Sequence, residues 1–333
     1  MRVPGLKRAR RAATWLRGRF GRSALILGYH RVAETAVDPF NLCVSPTHFA
    51  EQLDALRRKA NVVNLETVRL DLQTGDLPRR AVVITFDDGY QDNLTMALPL
   101  LATRELPATL FIVSGVLGQP FWWDELGRLI FGTAVLPEKL TLQVGNSSLT
   151  WSSLDERYIT RRKQGPSPRH DLFQQLYELL GRCAVDRPSL LSQLQTWADS
   201  GGGPAAPPAI PTLTPEELRE MAAHPLITIG AHTVSHPHLS ALPPTAQREE
   251  IMASKSGLEA LLNRPVSFFS YPHGDNPPAA RRLVQEAGYE LACTSEQNVV
   301  RAGSDPFALP RLWPTDMDGE RFERWLELWL ERG

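Results

Sequence analysis

Apolar residues in this chain fall into short runs that end on polar or charged groups, with amphipathic stretches between them. Ala81–Tyr90 (AVVITFDDGY) carries an apolar, β-branched run straight into two adjacent aspartates, a glycine and a tyrosine. A short β-branched run of this kind predicts a strand buried on both faces, as in a parallel sheet. Ala24–His30 (ALILGYH) predicts a second such strand, ending in a histidine followed by Arg31. Further strands are expected at Val62–Leu65, Ala108–Val113, Leu226–Gly230, Ser267–Tyr271 and Tyr289–Thr294, with Phe40–Ser45 extended. Helical spacing connects them. Ser45-Pro46 caps a helix through Phe49, Leu53 and Leu56, and others are expected at Thr67–Thr74, Asn93–Arg104, Pro215–Ala223, Thr245–Leu262, Pro278–Ala287 and Gly319–Leu330. Strand, helix, strand with short connections is the βα alternation of a parallel sheet or barrel.

From Gly115 the rhythm breaks. Phe121-Trp122-Trp123-Asp124 opens a helix, and Leu140–Trp151 predicts a hairpin around Gly145-Asn146. Helices are expected within 154–198, with Leu172, Leu176, Leu179 and Leu180 on one face. Gly201–Pro211 (GGGPAAPPAIP) has the composition of a mobile linker. The chain is therefore divided into a basic N-terminal segment (1–23), an α/β barrel (24–117 and 213–333) and a mostly helical insertion with its linker (118–212).

A length of 333 residues admits one large domain or two smaller ones. The net charge of −1 argues against a nucleic-acid partner for the chain as a whole. Charge is uneven, however: from Arg2 to Arg31 there are nine Lys/Arg and no acid. With Trp15, Leu16 and Phe20 among them, residues 1–23 read either as a basic amphipathic helix on an anionic membrane surface or as a plain basic tail. Arg17, Arg19 and Arg22 interrupt any signal-peptide apolar core, and no run reaches the ~20 apolar residues of a membrane span. The expectation is a cytoplasmic protein, peripheral at the inner face of the membrane if the helix forms. Cys43, Cys183 and Cys293 have neither metal-ligand spacing nor an even count for disulfides. Oligomeric state is left open.

The candidate chemistry sits at the ends of the strands. Two adjacent carboxylates repel each other and lose hydration there, which is tolerable when a cation or a proton lies between them. His232 and His236 stand four apart just past an apolar strand, in IGAHTVSHPHL. Two imidazoles and one carboxylate make a three-ligand site with positions left for water and substrate, as in catalytic zinc centres. A third segment, Phe268–Asp275 (FFSYPHGD), ends a strand in a Pro/Gly turn. Strand C-termini are where barrels and open α/β sheets place active sites.

TFDDG (Thr85–Gly89), HTVSH (His232–His236) and YPHG (Tyr271–Gly274) resemble the signature motifs of the polysaccharide deacetylase family, carbohydrate esterase family 4, also known by its NodB homology. YHRV (Tyr29–Val32) and LPR (Leu309–Arg311) resemble the branch containing the poly-N-acetylglucosamine deacetylases. The resemblance covers about 24–117 and 213–315, and it implies an irregular (β/α)7 barrel. It further implies a hydrolase, dependent on a divalent metal, usually zinc, that removes N-acetyl groups from an amino-sugar glycan or a lipid-linked sugar. The alternatives are an O-acetyl esterase and a carbohydrate-binding barrel without turnover.

By the same resemblance Asp87 would be the general base, and Asp88, His232 and His236 would hold the metal. The backbone N–H of His273 would help bind the oxyanion, and Tyr271, which opens that motif, would stand with it at the oxyanion or the substrate. Two departures follow. The arginine that commonly opens the third motif is Ser270 here, so another cation must orient Asp87, and Arg311 is the candidate. The late Leu-x-x-His motif that supplies a general acid is absent, since Leu309 is followed by Pro310, Arg311 and Leu312. His30, at the end of its strand, is the histidine best placed to replace it.

Overall fold

The computed structural model describes residues 23–35, 37–74, 76–152, 167–182 and 186–332. Apart from Ser23, the basic segment 1–23 lies outside these residues, and so does Cys183. In chain order the elements begin with β1 (Ser23–Tyr29), β2 (Arg31–Val32), β3 (Cys43–Val44), α1 (Pro46–Lys59), β4 (Asn61–Val62), α2 (Leu65–Thr74) and β5 (Ala81–Phe86). A π-helical turn (Asn93–Ala97) leads into α3 (Leu98–Ala102) and β6 (Ala108–Ile112). Then come α4 (Trp122–Gly127), a second π-helical turn (Arg128–Gly132), β7 (Lys139–Val144), β8 (Ser147–Ser152), α5 (Pro168–Arg182) and α6 (Arg187–Asp199). The chain closes with α7 (Pro215–Ala223), β9 (Ile227–Ala231), α8 (Pro244–Leu262), β10 (Phe268–Ser270), α9 (Pro278–Glu286), β11 (Leu291–Cys293), β12 (Val300–Arg301) and α10 (Gly319–Arg332).

Two compact units result. One takes 23–34, 42–119 and 212–332; the other takes 35–41 and 120–211. The sequence reading places 35–41 in the barrel. The structure puts them with the insertion, where Phe40 packs edge-on against Phe173 and Tyr177 at 5.4 and 5.0 Å.

The first unit is built on a curled sheet in the order β11-β10-β9-β6-β5-β1-β12, with β4 paired to the start of β5. All its pairings are parallel except β1 with β12. The segment Leu309–Leu312 bridges the two ends of the curl. Leu309 pairs with Cys293 of β11 and Leu312 with Leu27 of β1, both in parallel. Backbone bonds fix both sides: Thr294 N–H donates to Leu309 O at 2.8 Å, and Gly28 N–H to Leu312 O at 2.8 Å.

Side chains alternate between the two faces with the period of the pleat. Leu25, Leu27, Val82, Ile84 and Phe86 join the core under the helices, together with Phe49, Leu53, Leu218 and Ile251. Ala24, Ile26, Ala81 and Val83 face the other way, into a second core with Phe111, Phe268, Cys293 and Leu309. Each buried Leu, Ile or Val contributes roughly 1.5–3 kcal/mol. A one-residue slip of β5 would exchange the two sets, so burial on both faces fixes the register and with it the direction of Thr85 and Asp87. Helix starts are set locally. At α7, Thr214 Oγ1 accepts from Glu217 N–H at 3.2 Å while Glu217 Oε2 accepts from Thr214 N–H at 2.8 Å, a reciprocal cap with Pro215 just inside.

In the second unit, β7 and β8 form a hairpin from Lys139↔Ser152 to Val144↔Ser147, turning at Gly145-Asn146 as expected. Leu126, Ile130, Leu140, Leu142, Phe173, Leu176, Leu194 and Trp197 make its core. The Gly/Pro-rich run 201–211 carries no helix or strand. Among the described residues, no helix is long and apolar enough to cross a membrane.

Candidate metal centre and catalytic pocket

Thr85 and Asp87 are two apart and share the inner face of the curl. Asp87 N–H donates to Tyr29 O at 2.9 Å, so the ladder between β1 and β5 continues as far as the first carboxylate. Asp88 then takes a left-handed conformation (φ 73°) and Gly89 another (φ 78°), which turns the chain back within two residues. At Gly89 the left-handed backbone disfavours a side chain, and a Cβ would also press on Ile112 Cδ1 at 2.8 Å. His232 follows β9, its N–H bonded to Ile112 O at 2.8 Å. Thr233 (φ 65°), His236 (φ 59°) and His273 (φ 57°) are also left-handed. Non-glycine residues in this region cost on the order of 1–3 kcal/mol each, and such strain gathers at functional sites.

These turns bring Asp88, His232 and His236 together, with one donor atom from each within 4.8 Å of the others. Asp88 Oδ1 lies 3.7 Å from His232 Nε2 and 3.4 Å from His236 Nε2. His232 Nδ1 is 2.7 Å from the Ser270 carbonyl. A carbonyl only accepts, so Nδ1 carries the proton and Nε2 offers its lone pair. Burial, foremost, lowers the pKa of both imidazoles, which keeps them neutral as ligands must be. A carboxylate with two neutral imidazoles at this spacing fits one divalent ion.

Beside this cluster, Arg311 Nη1 and Nη2 each donate to one oxygen of Asp87 at 2.7 Å. The other donors of the guanidinium are also used: Nε bonds Thr294 O at 3.0 Å, Nη1 bonds Thr85 Oγ1 at 3.2 Å and Nη2 bonds Ser270 Oγ at 2.9 Å. Arg311 has no exposed surface, and its charge also lies over the Trp313 ring at 4.6 Å. Burial pushes the Asp87 carboxyl up, but Arg311, and then His232, outweigh it and hold the group at about 2. Asp87 Oδ2 is 3.8 Å from His232 Nε2, so the paired carboxylate borders the ligand cluster.

A model of the polysaccharide deacetylase family matches residues 74–136 and 181–292, together more than half of the chain. This chain belongs to the polysaccharide deacetylase family. Among sequence relatives, YxkH of Bacillus subtilis is 29% identical over 116 residues, which are 34% of this chain and 41% of that protein. A poly-beta-1,6-N-acetyl-D-glucosamine N-deacetylase of Staphylococcus aureus is 31% identical over 110 residues, 29% of this chain and 38% of that one. The match thus spans about two fifths of the length of these curated relatives. Two solved structures share the fold. Streptococcus pyogenes deacetylase PplD has a TM-score of 0.59 at 18% identity, covering 91% of this chain and 98% of that chain. IcaB from Ammonifex degensii has 0.59 at 20%, covering 92% and 98%.

Within this deacetylase fold the remaining expected site residues are placed unequally. Tyr271 must be corrected. It is fully buried, its N–H donates to Cys293 O at 3.1 Å and its hydroxyl to Phe307 O at 3.0 Å, so both donors are committed away from the pocket. His273 stays at the site, its ring meeting that of His236 at 4.5 Å and stacking on His238 at 3.8 Å. His30 stacks on Trp313 at 5.2 Å and is near enough to act electrostatically on Asp87 and His236. Trp313 fits there because residue 28 is glycine: a Cβ would stand 2.5 Å from the indole.

Sequence reasoning missed Glu250. Its Oε2 accepts from Val234 N–H at 2.8 Å and Ser235 N–H at 2.9 Å, and its Oε1 from Ser235 Oγ at 2.6 Å. This carboxylate from α8 holds the turn between the two histidine ligands. On a long helix a glutamate reads as a solvated face, so nothing local marks it.

Proposed function

We propose that this chain is a divalent-metal-dependent N-deacetylase acting on an amino-sugar glycan and releasing acetate. The observation that carries the reading is the juxtaposition of the arginine-paired Asp87 with the Asp88, His232 and His236 cluster, Asp87 Oδ2 lying 3.8 Å from His232 Nε2. Asp88, His232 and His236 would hold the ion, most simply Zn2+. When bound, it would supply Lewis-acid polarisation of the acetamide carbonyl and acidify a nucleophilic water.

The chain's own groups do the rest. Asp87 is ionised throughout the neutral range and takes the proton of the attacking water, with Arg311 fixing the plane of its carboxylate. The backbone N–H of His273 stabilises the developing oxyanion. His30 gives a proton to the departing sugar amine, since an imidazole suits acid work near neutral pH. The bond broken is the acetamide C–N; the new C–O bond makes acetate.

The name of the Staphylococcus aureus relative supports β-1,6-linked N-acetylglucosamine as the first polymer to test. The experiment is mass-spectrometric acetate release over a panel of N-acetylated oligosaccharides, lipid-linked N-acetylated sugars and O-acetylated glycans, with and without chelator. Release from N-acetylated members that stops on chelation and returns with zinc is expected. Release from O-acetylated members alone would replace the proposal with an esterase, and binding without release would leave a carbohydrate-binding barrel.

A further inference from the structure

The segment 90–93, which follows the aspartate doublet and enters the π-helical turn, grips the opposite strand end with side chains the mechanism does not use. Asn93, fully buried, donates from Nδ2 to the carbonyl of His30 at 2.9 Å and to Asp92 Oδ1 at 3.1 Å. Asp92, 5% exposed, accepts from Val32 N–H at 3.3 Å through Oδ1 and from Arg31 Nε at 2.9 Å through Oδ2. The Arg31 guanidinium in turn lies 4.8 Å over the ring of Tyr90, two residues past Asp88. Residues 30–32 are thus held by residues 90–93 at every position: carbonyl of 30, side chain of 31, amide of 32. An α-helical turn advances 100° per residue. Asp92, the N-cap of the π turn, and Asn93, its first residue, nevertheless both reach the same strand end, and π turns recur at functional sites.

We propose that Asn93 and Asp92 are positioning residues that set the His30 imidazole relative to Asp87. The clasp ties the segment carrying the proposed proton donor to the segment carrying the proposed base, so the two move as one body. A merely structural ion pair needs no bond to the His30 carbonyl. That bond fixes the peptide from which the His30 ring projects, while stacking on Trp313 fixes the ring plane. The inference rests on the reading of His30 as the acid that protonates the leaving amine.

The test uses the full chain loaded with zinc and four proteins: wild type, Asn93→Ala, His30→Ala and the double variant. Each is assayed on an N-acetylglucosamine oligomer, where the leaving amine needs a proton, and on an activated aryl acetate, where it does not. Asn93→Ala is expected to keep its metal content and to lose roughly 10- to 100-fold in kcat on the oligomer, as an ångström-scale displacement would cause. Its loss on the aryl acetate should be several-fold smaller. In the His30→Ala background, Asn93→Ala should cause little further loss, because the two act on one proton transfer. If His30→Ala loses equally on both substrates, the acid assignment falls and takes this inference with it. If His30→Ala is selective for the oligomer but Asn93→Ala is not, or its effect multiplies fully in the double variant, the acid assignment stands and the positioning role is overturned. Should Asn93→Ala fold poorly by circular dichroism, Asn93→Ser, smaller and still polar, replaces it under the same criteria.

Discussion

Arg311 reaches both carboxylate oxygens of Asp87 at 2.7 Å although 224 residues separate the two in sequence. The pair is buried, and the fork of one side chain matches the carboxylate of the other, so neither charge is left uncompensated. The arginine that usually opens the third motif is replaced by Ser270, and Ser270 Oγ accepts a hydrogen bond from the replacement cation at 2.9 Å. A small side chain at 270 therefore leaves room for an arginine arriving from another segment.

Arg311→Met removes the group that holds Asp87 down. With burial opposed only by His232 and His30, the carboxyl moves up from about 2, and the acid limb of the kcat/KM profile shifts to higher pH. A profile with the acid limb where wild type has it would show that Arg311 does not tune the base.

Stability should follow the same linkage. The folded Asp87 lies below its ordinary 3.8, so its contribution is fully present above about pH 4 and is lost as pH falls toward 2. A shift of this size corresponds to about 2 kcal/mol. Denaturant titrations at pH 4 and pH 2 should show that component in wild type and lack it in the Asp87→Asn/Arg311→Met double variant. Asp87→Asn alone leaves the Arg311 charge buried without its partner and should cost about 3–5 kcal/mol.

Removing a ligand should empty the centre without unfolding the barrel. Asp88→Ala and His232→Ala are each expected to lose stoichiometric zinc in elemental analysis, and activity with it, while their circular dichroism matches wild type. Retention of one ion per chain by both variants would mean that the ligands are other residues.

Glu250→Gln tests the residue that local sequence does not mark. Losing a charged acceptor for two backbone amides and a hydroxyl should loosen the turn between His232 and His236. Zinc affinity should fall roughly 10- to 100-fold, as for outer partners of metal ligands elsewhere. Competition with a chromogenic chelator measures it, and unchanged affinity would reduce Glu250 to a helix-surface residue.

Much of the fold was legible because its causes are local. A doubly buried parallel strand must be an apolar run, and the run that opens Ala81–Tyr90 can be little else; β5 lies there. Pro215–Ala223 was equally legible, since its cap residues and apolar spacing are contiguous. Where the cause is not local, the reading missed. Val300–Arg301 becomes a strand only by pairing with Ser23 and Ala24. The expected helix Asn93–Arg104 is divided into a π turn and α3, and Asp92 and Asn93 at its start bond to residues 30–32, far off in sequence. Tyr271 shares a motif with His273, yet its side chain packs with Phe269 in the core under the helices.

The sequence by itself determined the chemical inventory: a carboxylate doublet and paired histidines at strand ends, with spacing that leaves few other uses for them. The family resemblance added that Asp87 would need a cation other than residue 270, with Arg311 as the candidate. Tertiary structure alone decided that the Arg311 guanidinium reaches both oxygens of Asp87. Leu309–Leu312 lies between β11 and β1 through backbone bonds to both, and only that insertion carries the guanidinium to the carboxylate. Strand character is written in neighbouring side chains, whereas the meeting of residues 87 and 311 depends on which distant backbones pair.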